Sequence, residues 1–174
     1  MAKVALTGAT GFLGSQMAAV LTDAGHQVLA LTRAQPAAAL PWAYEVLNTN
    51  DAEALANVLE GYDAIVHTAI ANDFQNLDSQ AAYRAYPGLT SSVTQAANAV
   101  GAQIIYISTD WVMDGQTPRA SESHIGRPVN TYGYLKALGE QVIRDLAPDT
   151  GAIVRIGGVM GRHRLQQNMP RNQD

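Results

Sequence analysis

The 174 residues contain no cysteine. Disulfides, a thiol nucleophile and a cysteine-ligated zinc site are therefore excluded, and the absence suits a reducing compartment. Long apolar runs are missing too. The run Val4-Ala5-Leu6 after Lys3 is broken at once by Thr7, Gly8, Thr10 and Gly11, so it does not read as a signal peptide. No stretch is long and apolar enough to span a membrane. Positive charge is scarce: 11 Lys and Arg face 15 Asp and Glu, for a formal net charge of −4. The basic residues are scattered, which argues against a nucleic-acid or anionic-membrane surface. No internal repeat and no second domain is visible. What remains is one globular domain with 47% apolar residues, long enough for a real core and expected in the cytoplasm. No metal site is expected.

What is present is an alternation of strand and helix signals. Strands are predicted at residues 4–6, 28–31, 44–47, 64–66, 103–107 and 152–156. Helices are predicted after the first glycines and at residues 51–59, 89–100 and 131–147. This order predicts an α/β fold, a Rossmann-type doubly wound parallel sheet with helices on both faces. Residues 72–87 read as polar and irregular. Residues 111–130 read as a long loop with Gly115, Pro118, Gly126 and Pro128, and loops of that length are often functional. Beyond residue 161 the chain is polar, with Arg162, Arg164 and Arg171 and no core-forming pattern.

Thr7-Gly8-Ala9-Thr10-Gly11-Phe12-Leu13-Gly14 joins the first strand to the first helix. A helix start presents unpaired N–H groups and the positive end of a dipole, a natural seat for a diphosphate. The spacing G-x-x-G-x-x-G differs from the G-x-G-x-x-G dinucleotide fingerprint. By itself it admits two readings, a phosphate seat and a strand-to-helix junction without ligand. The second strand ends at Thr32-Arg33. An acid about 20 residues past the glycines selects NAD, whereas an arginine accommodates the 2′-phosphate of NADP. Here Arg33 stands and no acid does, which favours NADP(H), although a solvated loop arginine would look the same. The fourth strand ends at His67-Thr68-Ala69. His67 reads as a strand-end residue near a cofactor rather than a base, because no acid or second histidine lies at a suggestive spacing.

In open α/β sheets the ligand sits outside the carboxyl ends of the strands. The fifth strand ends there at Ser108-Thr109-Asp110. Tyr132 and Lys136 are four apart on a predicted helix, so they share a face. A nearby ammonium favours the phenolate and lowers the tyrosine pKa from about 10, which makes the pair a usable general acid/base. Thr109 supplies a neutral hydroxyl for a carbonyl or alcohol. Tyr134 is two residues from Lys136 and faces elsewhere.

These segments carry a resemblance. The glycine turn is similar to the TGATGFLG turn of the extended short-chain dehydrogenase/reductase superfamily. Ser108-Thr109-Asp110-Trp111-Val112-Met113-Asp114-Gly115 resembles the STDYVFDG segment of its dTDP-4-dehydrorhamnose reductases. Asn130-Thr131-Tyr132-Gly133-Tyr134-Leu135-Lys136-Ala137-Leu138-Gly139-Glu140 resembles their N-x-YG-x-x-K-x-x-GE helix. The resemblance implies a dinucleotide-binding domain over residues 1–161, with 162–174 a polar tail that starts a missing or disordered substrate region. It implies that Tyr132 protonates a ketone oxygen as hydride arrives, that Lys136 tunes Tyr132 and binds the nicotinamide ribose, and that Thr109 orients the substrate.

Gly8, Thr10, Gly11, Phe12, Leu13 and Gly14 would hold the diphosphate, with Phe12 and Leu13 offering backbone N–H groups. Asn48 stands where the family has an Asp near the adenine, and Thr68 and Ala69 would line the cofactor. Asp110 and Trp111 would lie at the substrate edge. The implied activity is NADP(H)-dependent reduction of a keto group on a small-molecule substrate, a nucleotide-activated sugar. The alternatives are a non-catalytic NADP(H)-binding regulatory subunit, like that of methionine adenosyltransferase, and a sugar-nucleotide epimerase or dehydratase. Superfamily members commonly dimerise through helices, so a homodimer is a candidate. Departures are Trp111 for the usual Tyr, Met113 for Phe, Tyr86 near a structural Asn, and an end soon after the sixth strand, where family members continue for another domain's worth of chain.

Overall fold

The computed structural model describes residues 1–37, 39–70, 78–116, 118–124 and 126–165. Six strands form one sheet: β1 (Lys3–Thr7), β2 (Gln27–Thr32), β3 (Ala43–Val46), β4 (Ala64–His67), β5 (Gln103–Thr109) and β6 (Gly151–Ile156). Their order is β3-β2-β1-β4-β5-β6, and every neighbouring pair is parallel. This is the expected Rossmann-like doubly wound sheet. The strand order reverses between β1 and β4, which opens a crevice at their carboxyl ends.

The strand sequences explain why both faces are covered. Alternate residues point to opposite faces. Ala5, Leu29, Leu31, Ile65, Ile104 and Tyr106 form one buried cluster, while Val4, Leu6, Val28, Ala30, Val66 and Ile107 form the other. With apolar residues on both sides, the strands cannot face water on either. The first cluster is closed by Leu55 and Leu59 of α2 (Ala52–Leu59), by Val93, Ala96 and Ala97 of α4 (Leu89–Val100) and by Ile143 of α5 (Thr131–Leu146). The second is closed by Ala18 and Ala19 of α1 (Phe12–Asp23).

Caps mark the helix starts. Asp51 accepts the Ala54 N–H at 3.0 Å, and Asn130 accepts the Gly133 N–H at 2.7 Å. Gly101, at φ 72°, ends α4 in the left-handed region that glycine tolerates.

Two stretches differ from the sequence reading. Residues 79–88 are helical, not irregular: α3 (Ser79–Tyr83) runs into a π-helical turn, Arg84–Gly88, that leads into α4. Pro87 lies inside that turn. A proline lacks an N–H and crowds the carbonyl four residues back, so the backbone widens from the α to the π pattern instead of breaking. Residues 71–77, the rest of that expectation, lie outside the described residues. In the tail, Leu165 packs against the second cluster and Gln16 donates to the Arg162 carbonyl at 3.2 Å. Residues 161–165 thus lie against α1, whereas the sequence reading assigned them no part in the core. Residues 166–174 are outside the described residues. Among the described residues no helix is long and apolar enough to cross a membrane.

Candidate active site

The glycine turn lies at the crevice. Gly8 has φ 73°, and a Cβ there would meet Thr68 Oγ1 at 2.6 Å and the Ala69 nitrogen at 2.8 Å. Only glycine combines that backbone with that clearance. Gly14, in the first turn of α1, packs on the same loop: its Cβ would stand 2.1 Å from the Gly8 carbonyl oxygen. Gly11 is the N-cap, and no side chain caps this helix. The N-terminus therefore meets the crevice through backbone alone, as a phosphate seat requires. Gly14→Ala is expected to lower stability by about 1–3 kcal/mol, because overpacking there moves backbone rather than a flexible side chain. Thermal unfolding measures it; an unchanged midpoint would mean that helix and turn are not in contact.

Thr68 and Ala69 close the other wall. Thr68 Oγ1 donates to the Thr7 carbonyl at 2.6 Å, and the Ala69 N–H donates to Thr7 Oγ1 at 3.3 Å. Thr10 is exposed at the turn, while Phe12 and Leu13 are half-buried. The Phe12 ring meets His163 edge-on, with centroids 6.1 Å apart. Arg33 and Asn48 are exposed past the ends of the adjacent strands β2 and β3. The Asn48 carboxamide turns onto its own loop and accepts the Asn50 N–H at 3.1 Å.

Below the crevice, His67 is buried between Thr7 Oγ1 at 2.7 Å and Thr90 Oγ1 at 3.2 Å. Burial, then the charge of Lys136, pushes its imidazole down to about 3. It stays neutral at physiological pH and ties β1 to α4, a structural role rather than that of a base.

Thr109, Asp110 and Trp111 leave β5 in a short 3-10 turn, Asp110–Val112. The Thr109 hydroxyl accepts the Trp111 N–H at 3.3 Å and donates to Asp110 Oδ1 at 3.2 Å. Gly133 lets α5 close on this turn, since a Cβ there would stand 2.1 Å from the Trp111 carbonyl oxygen. Tyr132 is thereby brought to Trp111, with ring centroids 5.8 Å apart at 84°. Trp111 remains 54% exposed and Tyr134 57% exposed, so Tyr134 does face elsewhere.

Lys136 is only 2% exposed. Its Nζ donates to the Ile107 carbonyl and stands 4.0 Å from the centre of the Tyr106 ring. Burial pushes the amine down to about 7, while Glu140 one turn later pushes it back up. The structure thus seats the lysine on the end of β5.

Sequence reasoning gave no role to the groups behind it. Glu140 is 1% exposed. It accepts Ser108 Oγ at 2.6 Å, Arg155 through both oxygens at 2.8 and 2.7 Å, and Arg144 at 2.8 Å. These bonds hold its carboxyl below the ordinary carboxylate range against the cost of burial. The cluster ties α5 to β5 and β6, and so sets the depth at which Lys136 and Tyr132 sit. Only the buried face implied by Glu140 lying four residues from Lys136 could have signalled it.

Comparison with known proteins follows the same outline. The family model described as RmlD substrate binding domain matches residues 2–172. The chain is 31% identical over 163 residues to the dTDP-4-keto-6-deoxy-D-glucose reductase of Streptomyces niveus, covering 91% of this chain and 53% of that one. It is 32% identical over 158 residues to the methionine adenosyltransferase 2 subunit beta of Rattus norvegicus, covering 87% of this chain and 45% of that one. Among solved structures, the dTDP-4-dehydrorhamnose reductase of Bacillus anthracis in complex with NADP superposes with a TM-score of 0.73 at 26% identity. That match covers 90% of this chain and 54% of the other. The chain spans about half the length of the curated relatives it matches.

Proposed function

The chain belongs to the RmlD substrate binding domain family, within the extended short-chain dehydrogenase/reductase superfamily, and we propose that it carries the cofactor and proton-donating half of an NADP(H)-dependent reductase. The substrate class is a keto group on a nucleotide-activated sugar, handled in the cytoplasm. One observation carries the reading: the glycine turn follows β1, Thr109 ends β5, and α5 brings Tyr132 against Trp111 and the Lys136 amine onto the Ile107 carbonyl near that same end. The reductases among the relatives support it.

The residues present fit a dinucleotide. The turn is a cradle that a Cβ at Gly8 or Gly14 would fill, and the uncapped start of α1 suits a diphosphate. Gly8, Thr10, Gly11, Phe12, Leu13 and Gly14 would hold that group, with Thr68 and Ala69 beside it, Asn48 toward the adenine and Arg33 toward a 2′-phosphate. When bound, the nicotinamide supplies the hydride. Thr109 orients the substrate oxygen, exchanging its bond to Asp110 for one to substrate. Tyr132 gives its proton to that oxygen, so the ketone becomes an alcohol and the phenol a phenolate. The Lys136 charge steadies the phenolate until solvent returns the proton.

NADPH is expected to bind more tightly than NADH, and Arg33→Ala is expected to erase most of the difference. A charge-assisted bond to phosphate is worth about 1.5–3 kcal/mol, or roughly 10-fold to 100-fold in affinity. Calorimetric titration of both cofactors tests this, and equal affinities in the parent protein would overturn it. The proposal as a whole is tested by NADPH oxidation over a panel of 4-keto nucleotide sugars and simple ketones. Saturable NADPH binding without any turnover would instead favour either a regulatory subunit, the reading that the methionine adenosyltransferase relatives support, or a reductase lacking its substrate region, and the same assay on a longer natural chain separates the two.

A further inference from the structure

Tyr86 is a buried phenol that the mechanism above does not use. It is 2% exposed and sits in the π-helical turn Arg84–Gly88, immediately before Pro87. Such turns are rare and recur at functional sites. Here the turn decides where Tyr86 points. Its ring meets the Tyr132 ring edge-to-face, with centroids 6.3 Å apart and planes at 81°. The Tyr86 carbonyl accepts Thr90 Oγ1 at 2.9 Å, which fastens the turn to α4. Ala82 and Leu135 are buried in the same small cluster, with Ile70 and Ala85 packed against it. Among the described residues the Tyr132 ring thus meets those of Trp111 and Tyr86, each nearly perpendicular to it.

We propose that Tyr86 is a positioning residue: its ring, aimed by the π-helical turn, holds the Tyr132 phenol at the angle from which it reaches the substrate oxygen. The inference rests on the catalytic role given to Tyr132. An edge-to-face pair fixes a ring plane more narrowly than aliphatic packing does, and a proton donor displaced by about 1 Å loses up to about 10²-fold in rate. Burial, then the nearby Tyr132, pushes the Tyr86 phenol well above the usual tyrosine range. Tyr86 therefore stays a neutral phenol at physiological pH, and the contact that aims Tyr132 is the one between the two rings. The π-helical turn is the means: an α-helical path through residues 84–88 would rotate residue 86 to another bearing about the helix axis.

The test compares Tyr86→Phe, which keeps the ring, with Tyr86→Leu, which removes it. Tyr86→Met is a second ring-free variant of adaptable shape, in case leucine is not tolerated at the buried site. The ring-free variants are expected to lose about 10-fold to 10²-fold in kcat with the KM for NADPH within about twofold. Tyr86→Phe is expected to restore the parental kcat. A second readout needs no turnover: the Trp111 indole N–H resonance, assigned with Trp111→Phe, reports the ring that packs on it. It should move in the ring-free variants and stay in Tyr86→Phe. If the ring-free variants keep both the parental kcat and the parental resonance, the proposal is overturned. It is equally overturned if Tyr86→Phe loses as much as Tyr86→Leu, since the hydroxyl would then be what matters. If the parent protein turns over no substrate in the panel, there is no kcat to compare, and the Trp111 resonance alone decides whether Tyr86 positions Tyr132.

Discussion

Tyr132→Phe is expected to lower kcat for ketone reduction by about 10³-fold while leaving the NADPH dissociation constant within about twofold. The size follows from removing a positioned general acid, worth about 10²-fold to 10⁴-fold. Phenylalanine keeps the ring and with it the edge-to-face contacts to Trp111 and Tyr86. Lys136 keeps its seat on the Ile107 carbonyl. The only group lost is the hydroxyl, so the change reports proton transfer rather than folding or cofactor binding. Tyr134→Phe is the matched control, because that side chain is largely exposed and points away. Steady-state NADPH oxidation gives kcat, and calorimetry gives the affinity. A Tyr132→Phe protein with parental kcat would transfer the proton to some other donor and end the proposed mechanism.

Glu140→Ala is expected to destabilise the fold by about 3–5 kcal/mol, the usual cost of removing one partner from a buried ion pair. Arg155 is the partner that matters. It grips both carboxylate oxygens, its side chain is mostly buried, and it would be left charged without an anion. Arg144 contributes less, because its own side chain is 45% exposed and stays hydrated when the carboxylate is removed. For a domain of this size each kcal/mol moves the melting temperature by about 2–4 °C, so a drop of about 6–20 °C is expected by circular dichroism. A drop under about 2 °C would show that the cluster is solvated in solution.

The pH dependence has a definite sign. The folded-state carboxyl of Glu140 is depressed. Its contribution is complete above the unfolded carboxylate value of about 4.3, and is lost as pH falls through the depressed one. His67 is also depressed, to about 3. Its contribution is complete above about 6.5 and declines as pH falls from there toward 3. Acidification should therefore weaken the parent protein in two stretches, and Glu140→Gln should lack the lower one.

Much of this was written locally in the chain. The six strands, their order of appearance and the glycine turn follow from apolar runs and breakers, because burial of a strand leaves its mark residue by residue. Tyr132 and Lys136 share a face because a helix repeats every 3.6 residues. The third strand was off by one residue, running Ala43–Val46 rather than 44–47, since an edge strand with exposed side chains has little apolar pattern to mark its ends. Residues 72–87 read as polar and irregular because they carry little apolar periodicity, which hid the π-helical turn and with it the aim of Tyr86.

The sequence by itself therefore determined the fold class, the glycine turn between the first strand and the first helix, and the placing of Tyr132 and Lys136 on one helix face. Only the tertiary structure decided the rest: Lys136 buried against Ile107, Glu140 clamped by Ser108 and Arg155, and Tyr132 set between two rings. The reason is physical. Periodicity within an element is a local property, written in the spacing of its own residues. Which side chains meet between elements depends on strand register and on how closely helix and sheet approach. Those are set by packing the whole domain at once, down to the clearance that Gly133 leaves beneath Trp111.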